Sequence, residues 1–388
     1  MSGTCPVLPH FQSLPFRDDR TAAWRQLQGA GDVSLSEDGV YFLTNAAQVE
    51  AAAKNPQVFS SQGAFGIVGS PFPMVPIEFD PPEHSRYRRM LDKFFSPRSM
   101  AELDPELRKQ AGELIDALRA SGDTCDIVSA LAVPFPSQVF LSLFGLPLED
   151  TERLLGWKNA MLKVADLSSG VPTQETLDLA AGLYPYITEH IAERRGGQGS
   201  DLLSLLLADR DEGGLTDQEI VGLCFLFLIA GLDTVTSAIG FSLTALAQDP
   251  ELRLRISEDP TLIPDFVEEV LRVDSPIPFV PRVTTTDIEV GDVTIPAGST
   301  CMLSFGSANR DARRYQDVET IHDTRSNHFA FGRGPHRCLG SHLARLELRI
   351  VLEEWHQRIP NYALADGVPV VRWPGATFTL ERVDLTLR

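Results

Sequence analysis

Residues 216–250 constrain the fold of this chain most strongly. Thr216-x-x-Glu219 is a capping box, in which a hydroxyl and a carboxylate satisfy the first free amides of a helix. Apolar side chains continue to Leu246, and Asp249-Pro250 ends the pattern. A helix of about 31 residues is about 46 Å long, enough to cross the whole molecule. Inside it, Ala230-Gly231-Leu232-Asp233-Thr234 is out of character. An interior glycine costs about 1 kcal/mol relative to alanine. Aspartate and β-branched threonine weaken the helix further. The cluster predicts either a tolerated kink or a local distortion with a use.

The second informative stretch is Phe331-Gly332-Arg333-Gly334-Pro335-His336-Arg337-Cys338-Leu339-Gly340. One cysteine sits among glycine, proline and basic residues. A helical pattern follows at once through Leu343, Leu346, Ile350 and Val351. Gly334 and Gly340 permit backbone angles and close approaches that a Cβ would forbid. Cys338 lies just ahead of a helix N-terminus, where free amides and the macrodipole stabilise an anion. That placement predicts a lowered thiol pKa and a thiolate able to bind metal. The alternative is a buried free cysteine with packing value only.

Bulk properties narrow the function. The chain has 388 residues, 43% of them hydrophobic, and a net charge of −19, which excludes an ordinary nucleic-acid binder. Cysteines at 5, 125, 224, 301 and 338 are odd in number and form no Cys-x-x-Cys pair, which points to a reducing compartment. The N-terminus lacks a signal-peptide layout, and the apolar run Ile220–Ala230 is too short to span a bilayer. Length suggests two or three domains, but no linker or repeat marks a boundary.

Along the chain, Tyr41–Thr44 reads as a strand and Asn45–Lys54 as a capped helix. Residues 60–77 are too apolar for a solvated loop and too broken for a helix. Asp80-Pro81-Pro82 precedes a helix carrying His84 and Arg88 on one face. Helical patterns follow at 102–121, 136–145, 148–167 and 174–194. Glu269-x-x-Arg272 can pair across a helical turn, Ser275–Arg282 is extended, 287–302 reads as a hairpin and 374–378 as a hairpin tip.

Together the Cys338 loop, the Ala230–Thr234 segment, Glu269-x-x-Arg272 and Asn309-Arg310-Asp311 resemble the cytochrome P450 family. The resemblance runs from about residue 40 to the C-terminus and favours one large domain over 1–388, of a soluble bacterial type without a membrane anchor. It implies a mainly α fold with small β-sheets (α+β), with haem b between the long distal helix and the proximal cysteine helix. Cys338 would then be the axial iron ligand, whose thiolate favours O–O cleavage. Phe331 and Gly340 would belong to the haem loop, and His84, Arg88, Arg282 and His336 would hold the propionates. Asp233 and Thr234 would be an acid–alcohol pair that relays protons from water. Glu269 and Arg272 would form a structural lock behind the haem. Thr320 stands at the position of the family's basic third partner, so either His322 substitutes or the lock is modified.

The resemblance further implies a cytoplasmic monooxygenase that inserts one atom of O2 into an apolar substrate such as a terpenoid, lipid, steroid or aromatic. Phe65, Phe72, Met74, Ala230, Phe279, Val280 and Phe378 are candidate lining, with Ile67 and Val68 in the roofing loop. Electrons would come from a ferredoxin and its reductase, docked on Arg86, Arg89, Arg333, Arg337 and Arg345. Oxidative demethylation and a non-catalytic haem-thiolate protein are the competing readings.

Overall fold

The computed structural model describes residues 5–10, 13–65, 72–165, 172–209, 213–322, 327–375 and 377–387. The central helix runs unbroken from Asp217 to Gln248. Its capping box is formed: the Thr216 hydroxyl accepts the Glu219 amide at 3.2 Å, and the Glu219 carboxylate accepts the Thr216 amide at 2.6 Å. Helical pattern is not lost at Gly231–Thr234, so the expected distortion does not interrupt the element. Instead, the Thr234 hydroxyl donates back to the Ala230 carbonyl at 2.8 Å. Such a bond satisfies the hydroxyl within a continuous helix.

By length and composition this helix could cross a membrane, contrary to the expectation from Ile220–Ala230 alone, because the apolar pattern resumes after Asp233. Yet 61% of its most apolar window is buried in the protein. Leu223, Phe225, Leu228, Ile239 and Leu246 bury it in the main core. Burying each such side chain stabilises by roughly 1.5–3 kcal/mol.

The other helices wrap this axis. Asp104–Ala120, Pro134–Phe144 and Thr151–Ala165 fall within two or three residues of the sequence expectation. The segment read as one helix over 174–194 is two, Gln174–Ala181 and Leu183–Arg194, broken at Gly182. The helix that follows the cysteine loop, Ser341–Arg358, packs on both the central helix and Asp104–Ala120.

Among the described residues there are four small sheets. The largest has six strands and brings Tyr41–Leu43, Thr300–Leu303 and Val280–Thr284 side by side. Tyr41 pairs with Cys301 in parallel, and Arg282 pairs with Cys301 antiparallel. This register carries Arg282 to a buried position beside the cysteine loop.

Candidate active site

The cysteine loop relies on glycine where a side chain cannot fit. Gly334 has φ +69°, and a Cβ there would lie 2.2 Å from the Ala53 carbonyl oxygen. Gly332 also has φ +68°. Gly340 differs from expectation: its φ is −79°, it serves as the N-cap, and a Cβ there would meet nothing within 4 Å. The Cys338 amide donates to the Phe331 carbonyl at 2.8 Å, closing the loop on itself.

Cys338 is reachable by solvent although it lies deep among protein atoms. Burial pushes its thiol up, and the Gly340 amide with Arg88, Arg345 and Arg337 pulls it down. The net direction is up, contrary to the sequence expectation. The helix terminus alone does not create the thiolate, and a coordinated metal ion would supply the missing positive charge.

Four basic side chains gather from three segments: His84 and Arg88 from helix Glu83–Leu91, Arg282 from strand Val280–Thr284, and His336 from the loop itself. His84 and His336 rings lie 4.1 Å apart. His84 is 2% exposed, and neither ring nitrogen has a partner among the described residues. Burial, then Arg88, lowers His84 to about 4; burial, then Arg282 and His84, lowers His336 to about 2. Burial likewise brings Arg282 down to about 10, opposed only by Asp80. Arg88 bonds Asp92 at 2.8 Å and reaches the Arg337 carbonyl at 2.5 Å, tying helix Glu83–Leu91 to the loop. Two neutralised histidines and a poorly compensated arginine describe a site suited to negative charge. Ser61, missed from sequence, joins this group through its hydroxyl, 3.1 Å from His336 Nε2.

On the central helix, Ala230 is exposed between buried Leu228 and Leu232. A side chain added at Gly231 would meet nothing within 4 Å. Asp233 and Thr234 border this opening on the same helix. Asp233 is paired to Lys158 of helix Thr151–Ala165, a partner not foreseen from sequence.

Residues 35–358 match the family model described as cytochrome P450. This chain belongs to the cytochrome P450 family. It is 35% identical over 353 residues to the probable cytochrome P450 127A1 of Sinorhizobium fredii, covering 90% of this chain and 83% of that one. It is 33% identical to the vitamin D(3) 25-hydroxylase of Pseudonocardia autotrophica, covering 94% and 92%. A mutant of P450 EryK in complex with erythromycin B superposes with a TM-score of 0.86 at 30% identity, covering 98% of both chains. The fold is therefore the α+β P450 fold, and the chain is a haem-dependent monooxygenase of bacterial type.

The residues present fit the P450 cofactor. A reachable cysteine suits an iron ligand. The partnerless nitrogens of His84 and the buried Arg282 suit two carboxylates. Free space beside Gly231 and Gly340 suits a flat macrocycle.

The Glu269–Arg272 pair is fully buried, with Arg272 1% exposed. Arg272 Nη2 and Nε donate to Glu269 at 2.9 and 3.0 Å. Among the described residues, main-chain carbonyls also take part in the lock. Arg272 donates to Asn309, Val318 and Thr320 oxygens at 3.2, 2.9 and 2.8 Å. Thr320 thus contributes its backbone carbonyl to the lock.

The pocket candidates divide. Met74 and Phe378 are 1% and 3% exposed and back the walls instead of forming an open surface. Phe279 and Phe378 join Phe16 and Trp24 in an aromatic cluster. Phe65, Phe72, Phe279 and Val280 are partly exposed. Phe72 lies 5.3 Å from the Tyr184 ring, linking the roofing loop to helix Leu183–Arg194. That loop sits directly on the central helix, because Gly222 faces the Pro73 carbonyl where a Cβ would lie only 2.0 Å away. Ile67, Val68 and the hairpin-tip Ala376 lie outside the described residues.

The basic patch also divides. Arg86 turns to the Gly214 carbonyl at 2.9 Å and to Glu219 at 3.7 Å, where Tyr87 also donates at 2.6 Å. Arg333, Arg337 and Arg345 instead line a depression of about 580 Å3 with Glu268, Asn327, His328 and Phe331. Burial raises the Glu268 carboxyl, but Arg345 and His328 outweigh it and bring it down to about 2.

Proposed function

We propose that this P450 hydroxylates a bulky apolar molecule, with Cys338 as the axial haem ligand and Asp233 and Thr234 as the proton relay. The observation that carries this reading is the convergence of Arg282, His84 and His336 beside a reachable cysteine. Haem, when bound, supplies O2 activation and the oxidising power. His84, His336, Arg88 and Arg282 bind its carboxylates. The gain is large for His84, whose buried nitrogens have no partner among the described residues.

Hydrogen-bond direction supports the relay. Thr234 commits its proton to the Ala230 carbonyl, so its oxygen presents lone pairs to the opening beside Ala230. It can accept a hydrogen bond from the reacting group and hold a proton-bearing water there. Asp233 takes protons from bulk water when its carboxylate leaves Lys158.

Partly exposed Phe65, Phe72, Phe279 and Val280, with Ala230, support an apolar substrate. The relatives named for vitamin D(3) and crystallised with erythromycin B support a large polycyclic or macrocyclic one. A terpenoid or steroid-like compound is the preferred class. Electrons come from a ferredoxin and its reductase docking at the Arg337 depression. The whole chain works as one domain in the cytoplasm.

Titration of the ferric absorption spectrum tests the substrate class. Steroids or macrocyclic terpenoids should shift the haem from low to high spin by displacing an iron-bound water. A shift produced only by fatty acids or small aromatics would contradict the bulky-substrate reading.

A further inference from the structure

The helix Ile263–Val273 carries two adjacent buried glutamates, and only Glu269 belongs to the lock with Arg272. Its neighbour Glu268 faces the cysteine loop. The Glu268 carboxylate accepts two hydrogen bonds from one guanidinium: Arg345 Nε at 2.6 Å and Nη2 at 2.8 Å. His328 Nε2 lies 3.1 Å from the same carboxylate. The His328 tautomer is set by its other nitrogen, because Nδ1 accepts the Ala330 amide at 3.0 Å. Nε2 therefore carries the hydrogen and donates to Glu268. Three donors thus converge on one carboxylate, within its capacity of about four lone-pair sites.

Both groups held by Glu268 rest against one ring. The Arg345 guanidinium lies 4.3 Å from the centre of Phe331, and the His328 ring lies 5.7 Å from it. Phe331 is the residue whose carbonyl accepts the Cys338 amide. A continuous chain of contacts thus runs from Glu268 through Arg345 and His328 to Phe331, and from Phe331 to the cysteine. Arg345 and Glu268 also line the depression of about 580 Å3, so the chain begins at the protein surface.

We propose that Glu268 is a positioning residue for the Cys338 sulfur, acting through the Arg345–His328 clamp on Phe331. This rests on Cys338 being the haem ligand. Outer partners of metal ligands orient them and tune their basicity, commonly by ten- to a hundredfold in affinity or activity. A carboxylate is required because glutamine would turn an N–H group toward the guanidinium. Arginine is required because only a planar fork can bond the carboxylate twice and lie flat on a ring.

The test is the ferrous–carbonyl absorption of the holoenzyme, with haem content and far-UV circular dichroism as controls. Wild type should show the thiolate-ligated band. Glu268→Gln should convert to the protonated-thiol band about tenfold faster or more, with unchanged haem content and helicity. Arg345→Lys should move in the same direction, and it carries the test if Glu268→Gln does not fold. The double variant should be no worse than the more affected single variant, as for residues acting as one unit. Wild-type band stability in Glu268→Gln or a foldable Arg345→Lys would overturn the proposal, as would loss of band and helicity in parallel in both variants. Absence of the thiolate band in wild type would instead overturn the ligand assignment beneath it.

Discussion

The ammonium of Lys158 meets the carboxylate of Asp233 where helix Thr151–Ala165 lies against the central helix. Both side chains are largely buried. Lys158→Met leaves the carboxylate without its partner and should destabilise the protein by roughly 3–5 kcal/mol, the range for a broken buried pair. Lys158→Met with Asp233→Asn should recover most of that loss. Denaturant unfolding of the four proteins in the cycle measures it, and an additive double variant would show that the pair is not coupled.

Thr234→Ala removes the hydroxyl that faces the opening beside Ala230. Haem binding and the substrate spin shift should persist. Product per NAD(P)H consumed should fall roughly tenfold or more, with peroxide appearing in its place. Equal coupling in variant and wild type would exclude Thr234 from the relay.

Two buried carboxyls should respond to pH in opposite senses. Glu347, on the helix after the cysteine loop, is raised well above its ordinary 4.5 by burial, and its Oε2 has no partner among the described residues. Above the unfolded value the unfolded chain releases a proton that the native protein keeps, so stability falls as pH rises. Glu347→Gln should remove that slope and be more stable than wild type near neutral pH. Unfolding midpoints of the two proteins across pH check this.

Glu268 is lowered from 4.5 to about 2, so its contribution is present above 4.5 and lost as pH falls toward 2. That contribution amounts to about 3 kcal/mol. The stability gap between wild type and Glu268→Gln should therefore narrow on acidification. A gap independent of pH would contradict the lowered value.

Docking on the cysteine-loop face depends on exposed charge. Arg337→Glu should slow reduction by ferredoxin roughly tenfold at low salt, and added salt should shrink the difference. Arg86→Gln should leave reduction near wild type, because Arg86 is engaged with Glu219 and Gly214. Stopped-flow reduction across ionic strength distinguishes the two.

What the sequence disclosed was local. The cysteine loop, the capping box and the Asp233–Thr234 pair each lie in one short stretch whose chemistry demands a fixed spacing. Contacts between distant segments left no such mark. Lys158 reaches Asp233 across 75 positions, Arg345 reaches Glu268 across 77, and Ser61 reaches His336 across 275. A lysine in an amphipathic helix looks like any solvated one until its neighbour is known. The same holds for Thr320, whose side chain breaks the expected pattern of the lock while its carbonyl bonds Arg272. The thiol of Cys338 departs from expectation for a related reason: the helix terminus is readable, but the burial that outweighs it is not.

The most direct test of the account is the ferrous–carbonyl spectrum of wild type beside Cys338→Ser, each supplied with haem. Wild type should show the thiolate band and Cys338→Ser should lose it while the fold persists. Retention of that band in Cys338→Ser would contradict the account.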